Sequence, residues 1–172
     1  FELGLGAGWL EREYRAFGLP FPKVSVRLDM LEEAIQIVAS MLVNERTTFQ
    51  GKHFQVENAF CSPKPVQKDP RIWVCGGGER RTLRLAAKYG GGWNVPYVSP
   101  EEYRRKYEVL DRWCEVEGRD PAEIIRTVNV GFHLGATPSE AKRKRSQFLE
   151  SYGERAALQQ GGMLFGTPSD II

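Results

Sequence analysis

Ile72-Trp73-Val74-Cys75-Gly76-Gly77-Gly78-Glu79-Arg80-Arg81-Thr82-Leu83 is the stretch that decides the fold, and it runs on to Gly92-Trp93-Asn94-Val95. A short apolar run ends on three glycines. A helical segment then begins at once, with two arginines and a threonine in its first turn, and a second apolar run follows it. This order predicts a strand, a turn, a helix and a second strand parallel to the first.

The glycine turn has the properties of an anion site. Glycines allow a ligand to approach the main chain closely, and the N-terminus of a helix carries about half a positive charge. A phosphate is therefore the expected ligand. A plain strand-to-helix turn without a ligand is the alternative that these residues leave open.

Strands and helices alternate along the rest of the chain. Residues 3–9 alternate apolar side chains with glycine, as a tightly packed strand does, and residues 27–42 carry apolar side chains at helical spacing. A helix over 101–117, with Ser99 as its cap and Pro100 at its first position, continues the series. A strand over 126–134 and helices beginning at Thr137 and Gly166 complete it. Regular alternation of this kind predicts an α/β protein with a parallel sheet.

Residues 47–68 interrupt that alternation. In their first part, apolar and polar residues alternate with period two around Gly51, which predicts a hairpin. The prolines that follow keep the chain out of any helix. We expect a hairpin-like insertion over one end of the sheet, with His53 exposed.

The composition is that of an ordinary globular protein. It is 41% hydrophobic and 27% charged with a net charge of +2, and no aromatic residues interleave with the basic run at 142–145, so a nucleic-acid partner is not expected. The three cysteines lack Cys-x-x-Cys spacing, which favours a reducing cytoplasm. No apolar segment approaches the roughly 18 residues of a membrane helix, so we expect no membrane association.

Two architectures can hold a glycine turn between parallel strands. A dinucleotide-binding Rossmann unit needs Gly-x-Gly-x-x-Gly and an acidic residue about 20 positions later, and neither is found. A (β/α)₈ barrel places its ligand groups on the loops after successive strands. Two strand ends that carry glycine, one within residues 3–9 and one after Cys75, fit the barrel better, as does the aromatic strand end at Trp93.

Several ordered motifs resemble one family. Leu3-Gly4-Leu5-Gly6-Ala7-Gly8-Trp9, Glu13-Tyr14-Arg15-Ala16-Phe17-Gly18 and the run over 27–34 are similar to the luciferase-like monooxygenases. The runs over 63–67, 73–84 and 92–94 resemble its branch of coenzyme F420-dependent oxidoreductases. The resemblance covers nearly the whole chain.

The resemblance implies a fold and a chemistry. The fold would be a (β/α)₈ barrel, present here as one partial domain over 1–172 with about its fourth to seventh strands. The chemistry would be hydride transfer with reduced coenzyme F420, a deazaflavin, or alternatively oxygen insertion with reduced FMN. Ala7 stands where bacterial luciferases carry an arginine, which favours the deazaflavin. A non-catalytic relative of the fold is a further alternative.

The same resemblance implies cofactor-binding residues in two loops and a strand. The main chain of the glycine turn would hold the phosphate, helped by one of two arginines and by a hydroxyl group, while the first loop would pass close to the ring system. Close packing of strand against helix is the other explanation for the first loop, and a place in the core is the other explanation for the tryptophan. The expected residues are Gly76, Gly77, Gly78, Glu79, Arg80 or Arg81, Thr82, Gly6, Ala7, Gly8 and Trp93.

His133 is the single weak candidate for an acid or base, because it lies near the end of a predicted strand. No His, Asp, Glu or Cys residues have ligand spacing, so no metal is expected. The partner predicted from the resemblance is a small-molecule substrate, and the full-length protein is expected to be a homodimer.

Overall fold

The computed structural model describes residues 1–153 and 160–171, and its centre is a parallel sheet. Its strands are β1 (Leu3–Gly6), β2 (Thr47–Gln50), β3 (Gln55–Ala59), β4 (Ile72–Cys75), β5 (Gly92–Pro96), β6 (Ile125–Asn129), β7 (Gly131–Leu134) and β8 (Met163–Gly166). Its helices are α1 (Glu11–Ala16), α2 (Val24–Val43), α3 (Thr82–Tyr89), α4 (Pro100–Glu117), α5 (Pro138–Tyr152) and α6 (Pro168–Ile171).

Four strands form the main sheet in the order β1-β4-β5-β6, and all of them are parallel. The register aligns Gly6 with Cys75, Cys75 with Asn94, and Asn94 with Thr127. The carboxyl ends of the strands therefore meet at one edge, where the loop after β1 and the glycine turn after β4 both begin.

The core lies on one face of this sheet. On this face, side chains of the strands pack against α2, α3 and α4. The fully buried residues of this core include Ile35, Val74, Leu83, Trp93 and Leu110. Since successive side chains of a strand point to opposite faces, the residues between them occupy the other face, which we call the inner face. Its members are Gly4, Gly6, Trp73, Cys75, Gly92, Asn94, Pro96, Ile125, Thr127 and Asn129.

The predicted helix starts at Ser99 and Thr137 are confirmed. The Ser99 hydroxyl accepts from the Glu102 amide at 3.1 Å, and Thr137 accepts from the Glu140 amide at 3.3 Å, as capping residues do. The start of α3 differs from the prediction. Both arginines lie in the turn before the helix, which begins only at Thr82.

The hairpin is confirmed as antiparallel β2 and β3, and Gly51 donates to the Phe54 carbonyl at its turn. The prediction that His53 is exposed is wrong. Its side chain is 16% exposed, and Nε2 lies 3.8 Å from the Asp29 carboxylate on α2. Glu33 draws the hairpin onto α2 by accepting from three consecutive amides, at positions 52–54.

The strand predicted over 126–134 is two strands. β6 pairs with β5, whereas β7 pairs in parallel with β8, and the chain changes sheets at Val130. Strand β8, which is four residues long, was not predicted. None of the helices in the described ranges has the length and apolarity needed to cross a bilayer.

Candidate functional site

The glycine turn is held by its carbonyl groups. Four consecutive carbonyl oxygens, from residue 76 to residue 79, each accept a hydrogen bond from the helix side of the sheet. Their donors are Trp93 Nε1 at 2.9 Å, Lys106 Nζ at 2.9 Å, the Leu83 amide at 3.0 Å and Trp113 Nε1 at 2.7 Å, in that order. The peptide groups of the turn are therefore oriented, with their acceptors directed into the protein.

The amides of the same turn are free for a ligand. The Gly76 amide donates to the Asn94 carbonyl at 2.9 Å, but the amides of residues 77–81 donate to no atom within residues 1–153 and 160–171. Amides that are free at the start of a helix are able to bind an anion. The phosphate site predicted from the sequence stays a prediction.

Protein packing and backbone conformation disfavour larger residues in this turn. A Cβ at Gly77 would lie 3.2 Å from Val95 Cγ2, and a Cβ at Gly78 would lie 2.9 Å from Thr82 Oγ1. Gly76 has a φ of +130°, which other residues rarely adopt. Close approach to a ligand is not required to account for the glycines, so the glycines themselves are not evidence for a ligand.

The charged residues of the turn have separate roles. Arg81 donates to Asp29 Oδ1 at 2.6 Å and to the Ser25 carbonyl at 3.0 Å, so it ties the turn to α2. Arg80 is exposed and forms no ion pair with a described residue. Glu79 lies 2.7 Å from Arg105 and 3.1 Å from Lys106, and these two cations offset its negative charge.

A groove of about 610 Å³ opens beside the free amides. It is lined by the first turn of α2, the residues that precede α3, and Trp113 of α4. Gly78, Arg80 and Thr82 border it, although Thr82 is only 7% exposed. The starts of two helices therefore converge on one cavity at the carboxyl edge of the sheet.

The first loop is held in a similar way, by Arg27 of α2. Its guanidinium donates to the carbonyl groups of Ala7 and Gly8 and to the Pro22 carbonyl at 3.0 Å. Gly8 has a φ of +72°, and the Tyr14 ring occupies the space that a side chain would need. Gly6 and Ala7 line a cavity of about 180 Å³ between this loop, α2 and the hairpin.

Trp93 lies in the core, which was the alternative left open from the sequence. It is fully buried, and its ring stacks on Tyr103 at 5.7 Å between ring centres. Its indole nitrogen holds the Gly76 carbonyl, so its effect on the turn is indirect.

His133 does not face the carboxyl edge. Its ring stacks on Phe165 of β8 at 5.3 Å and contacts Phe148 of α5 at 4.9 Å. Its strand directs the side chain to α5, which covers the sheet of β7 and β8, so this geometry does not support the weak acid or base candidate that the sequence offered. Among the described residues, no three His, Cys, Asp or Glu side chains lie close enough together to hold a metal ion.

Several residues of the site were not predicted from the sequence. Lys106, Trp113 and Arg27 each support a turn that is remote in the chain, and only the packing of helices onto the sheet brings them there. Asn94 belongs to the run Gly92-Trp93-Asn94-Val95, and its position at the end of β5 was the one available signal.

The chain is similar to known enzymes over most of its length. The family model described as luciferase-like monooxygenase matches residues 1–167. The chain is 32% identical to an F420-dependent glucose-6-phosphate dehydrogenase of Microbacterium testaceum, over 76% of this chain and 39% of that protein. It is 33% identical to the pyrimidine monooxygenase RutA of Stutzerimonas stutzeri, over 99% of this chain and 48% of that protein.

Solved structures show the same fold. An F420-dependent secondary alcohol dehydrogenase superposes with a TM-score of 0.79 and 20% identity, over 98% of this chain and 57% of that one. A coenzyme F420-dependent tetrahydromethanopterin reductase superposes with a TM-score of 0.70 and 17% identity, over 88% of this chain and 50% of that one. The α/β architecture is thus part of a luciferase-like barrel, and the chain spans less than half the length of the two relatives named above. With its motifs, its sheet and the match over residues 1–167 in agreement, the chain belongs to the luciferase-like monooxygenase family.

Proposed function

We propose that this chain is the phosphate-binding part of an oxidoreductase that uses reduced coenzyme F420 to transfer hydride to a small-molecule substrate. The observation that carries the proposal is the orientation of the glycine turn, with four carbonyls bonded inward and the amides of residues 77–81 left free. The F420-dependent relative at 32% identity supports the choice of cofactor. Coenzyme F420 supplies a ring carbon that carries hydride when it is bound.

The residues of the chain would bind and orient that cofactor. Main-chain amides from Gly77 onward would hold a phosphate, with Gly78 and Glu79 contributing their N–H groups. Arg80 would add a charge-assisted hydrogen bond from the rim of the groove. Glu79 presents no uncompensated negative charge to an anion, because Arg105 and Lys106 pair with it.

The other predicted residues would contribute less directly. Gly76 and Trp93 would set the shape of the turn, Thr82 would pack beneath it, and Gly6, Ala7 and Gly8 would border the part of the cofactor nearest β1. His133 has no part in the proposal. We also propose a cytoplasmic location and a homodimer for the whole protein.

Binding of reduced FMN, with oxygen as the second substrate, is the second candidate. The pyrimidine monooxygenase relative favours it, since its match covers nearly the whole chain. Both cofactors carry a phosphate, so the glycine turn is compatible with either of them.

Titration of the purified chain with F420 and with FMN, followed by fluorescence, tests the proposal. We expect tighter binding of F420, and Arg80→Gln should weaken it about ten-fold, as expected when one charge-assisted hydrogen bond is lost. Arg104→Gln, an exposed arginine of α4, is the matched control and should bind as the original chain does. Preferential binding of FMN would support the second candidate. A folded chain that binds neither would favour the non-catalytic alternative and contradict the proposal.

A further inference from the structure

Three polar side chains form a hydrogen-bonded row on the inner face, next to the strand that carries the glycine turn. Asn94 Nδ2 donates to Thr127 Oγ1 at 2.9 Å and to Asn129 Oδ1 at 3.1 Å. The Thr127 hydroxyl in turn donates to the Trp93 carbonyl at 3.4 Å. Because its only proton is directed there, Thr127 accepts from Asn94, and this fixes which end of the Asn94 carboxamide is the donor.

The fixed orientation leaves two complementary groups available. Asn94 Oδ1 is an acceptor and Asn129 Nδ2 is a donor, and neither forms a hydrogen bond with a side chain in the described ranges. Asn94 is half-buried and Asn129 is exposed. The row therefore offers one acceptor and one donor to a ligand on the inner face.

The surroundings of the pair are apolar. Pro96 lies beside Asn94 on the same face of β5, and Ile125, which is 39% exposed, precedes Thr127 on β6. Trp73 occupies the inner face of β4, with its ring over Gly92. A ligand with an apolar body and one uncharged polar group fits this combination.

We propose that Asn94 and Asn129 bind the uncharged oxygen substituent of the substrate, a hydroxyl group in the reduced form and a ketone carbonyl in the oxidised form. A hydroxyl group donates to Asn94 Oδ1, and a ketone oxygen accepts from Asn129 Nδ2. The same pair thus holds both members of an alcohol and ketone couple. This assignment rests on the proposed function, since the two forms interconvert when a hydride moves between the substrate carbon and the coenzyme and the hydroxyl proton is exchanged with solvent. Carboxamides do not ionise near neutral pH, so both residues bind substrate and neither is an acid or base.

Side-chain amide NMR of the ¹⁵N-labelled chain tests the pair directly. Cyclohexanone and cyclohexanol are the probes, and Asn94→Leu and Asn129→Leu assign the two resonances. We expect cyclohexanone to shift the Asn129 resonance and Asn129→Leu to weaken its binding about ten-fold. Asn94→Leu should weaken cyclohexanol binding to a similar extent. Cyclohexanecarboxylate should bind more weakly than either probe, because Asn94 Oδ1 repels a negative charge.

Two further variants keep the test decisive. Asn129→Asp retains the shape of the side chain but removes its donor, so a folded variant should lose cyclohexanone binding. Asn44→Leu, which removes an exposed asparagine at the end of α2, should change nothing. Unchanged cyclohexanone binding by Asn129→Asp, or a carboxylate that binds as well as the ketone, would overturn the assignment.

The outcome is separable from that of the cofactor titration. A chain that binds cyclohexanone through Asn129 but does not bind F420 would contradict the proposed function and leave the pair as a binding site for an uncharged oxygen, without the redox couple. A chain that binds F420 while the asparagine variants leave the affinity for both probes unchanged would contradict the pair alone.

Discussion

The ammonium group of Lys106 lies 2.9 Å from the carbonyl oxygen of Gly77, although the two residues belong to different β/α units. Lys106 is 7% exposed, and its other contacts are the carboxylates of Glu79 at 3.1 Å and Glu102 at 3.4 Å. A buried cation is stable only when it is paired and hydrogen-bonded, and here the main chain of the glycine turn is one of its partners. The α4 helix and the turn therefore stabilise each other.

Lys106→Met should lower the free energy of unfolding by about 1–3 kcal/mol, because it retains the aliphatic stem but leaves the Gly77 carbonyl without its donor. Urea unfolding measures the change. Lys142→Met, on an exposed position of α5, is the control and should leave the midpoint unchanged. Equal midpoints for the two variants would show that the Lys106 contact does not stabilise the fold.

Trp93→Phe and Trp73→Phe should have different effects, although both remove an indole nitrogen from neighbouring strands. Trp93 Nε1 holds the Gly76 carbonyl, whereas Trp73 Nε1 is buried without a partner among the described residues. We expect Trp93→Phe to destabilise the chain by about 1–3 kcal/mol and to weaken F420 binding. Trp73→Phe removes a donor that forms no bond, so it should lower the free energy of unfolding by less than Trp93→Phe does. Thermal unfolding and the fluorescence titration compare them, and the opposite order would contradict this account of the turn.

Glu33→Gln should reduce the loss of stability that the chain shows as the pH falls below 6. Burial opposes ionisation of Glu33, but the amides of His53, Phe54 and Lys52 together outweigh it and hold the pKa of the carboxyl below its usual value. A depressed pKa contributes stability above the ordinary carboxyl range, and this stability is lost as the pH falls through the pKa of the folded state. Urea midpoints measured downward from pH 6 should therefore fall more steeply for the original chain than for Glu33→Gln.

Glu57→Gln supplies the comparison for that measurement, since Glu57 is an exposed residue of the same hairpin. Its loss of stability with falling pH should match that of the original chain. If Glu33→Gln also matches it, then the three amides do not stabilise the carboxylate.

His133→Phe should leave F420 binding unchanged and retain most of the stability, because the ring acts as an aromatic neighbour of Phe165 and Phe148. His133→Ala, which leaves the space between them empty, should unfold at a lower urea concentration. Loss of cofactor affinity in His133→Phe would show that this histidine takes part in cofactor binding.

The elements that were predicted correctly are those with strong local signals. Ser99 and Thr137 carry the side-chain oxygen that a helix start needs, and the glycines after Cys75 mark the turn before α3. The hairpin followed from its period of two. Each of these features depends on residues close together in the chain, so the sequence was sufficient to identify them.

The supports of the site depend on distant contacts, and local patterns do not reveal these. In the sequence, nothing distinguishes Lys106 from other helix residues, because its contact with the glycine turn exists only in the folded chain. Trp93 was equally compatible with a ligand contact and a core position. The direction of His133 depended on the break at Val130, which separates β6 from β7. The prediction of one continuous strand over 126–134 missed this break, so it assigned the side chains after Val130 to the wrong neighbours.

Both main-chain polar groups of Gly76 are bonded to β5, the amide to Asn94 and the carbonyl to Trp93. The turn is thus preorganised, since its conformation is set by the sheet and not by whatever anion arrives. A ligand that binds there has little backbone entropy to remove, so more of its interaction energy remains as affinity. The loop closest to the proposed coenzyme would accordingly behave as a rigid socket and not as a closing flap.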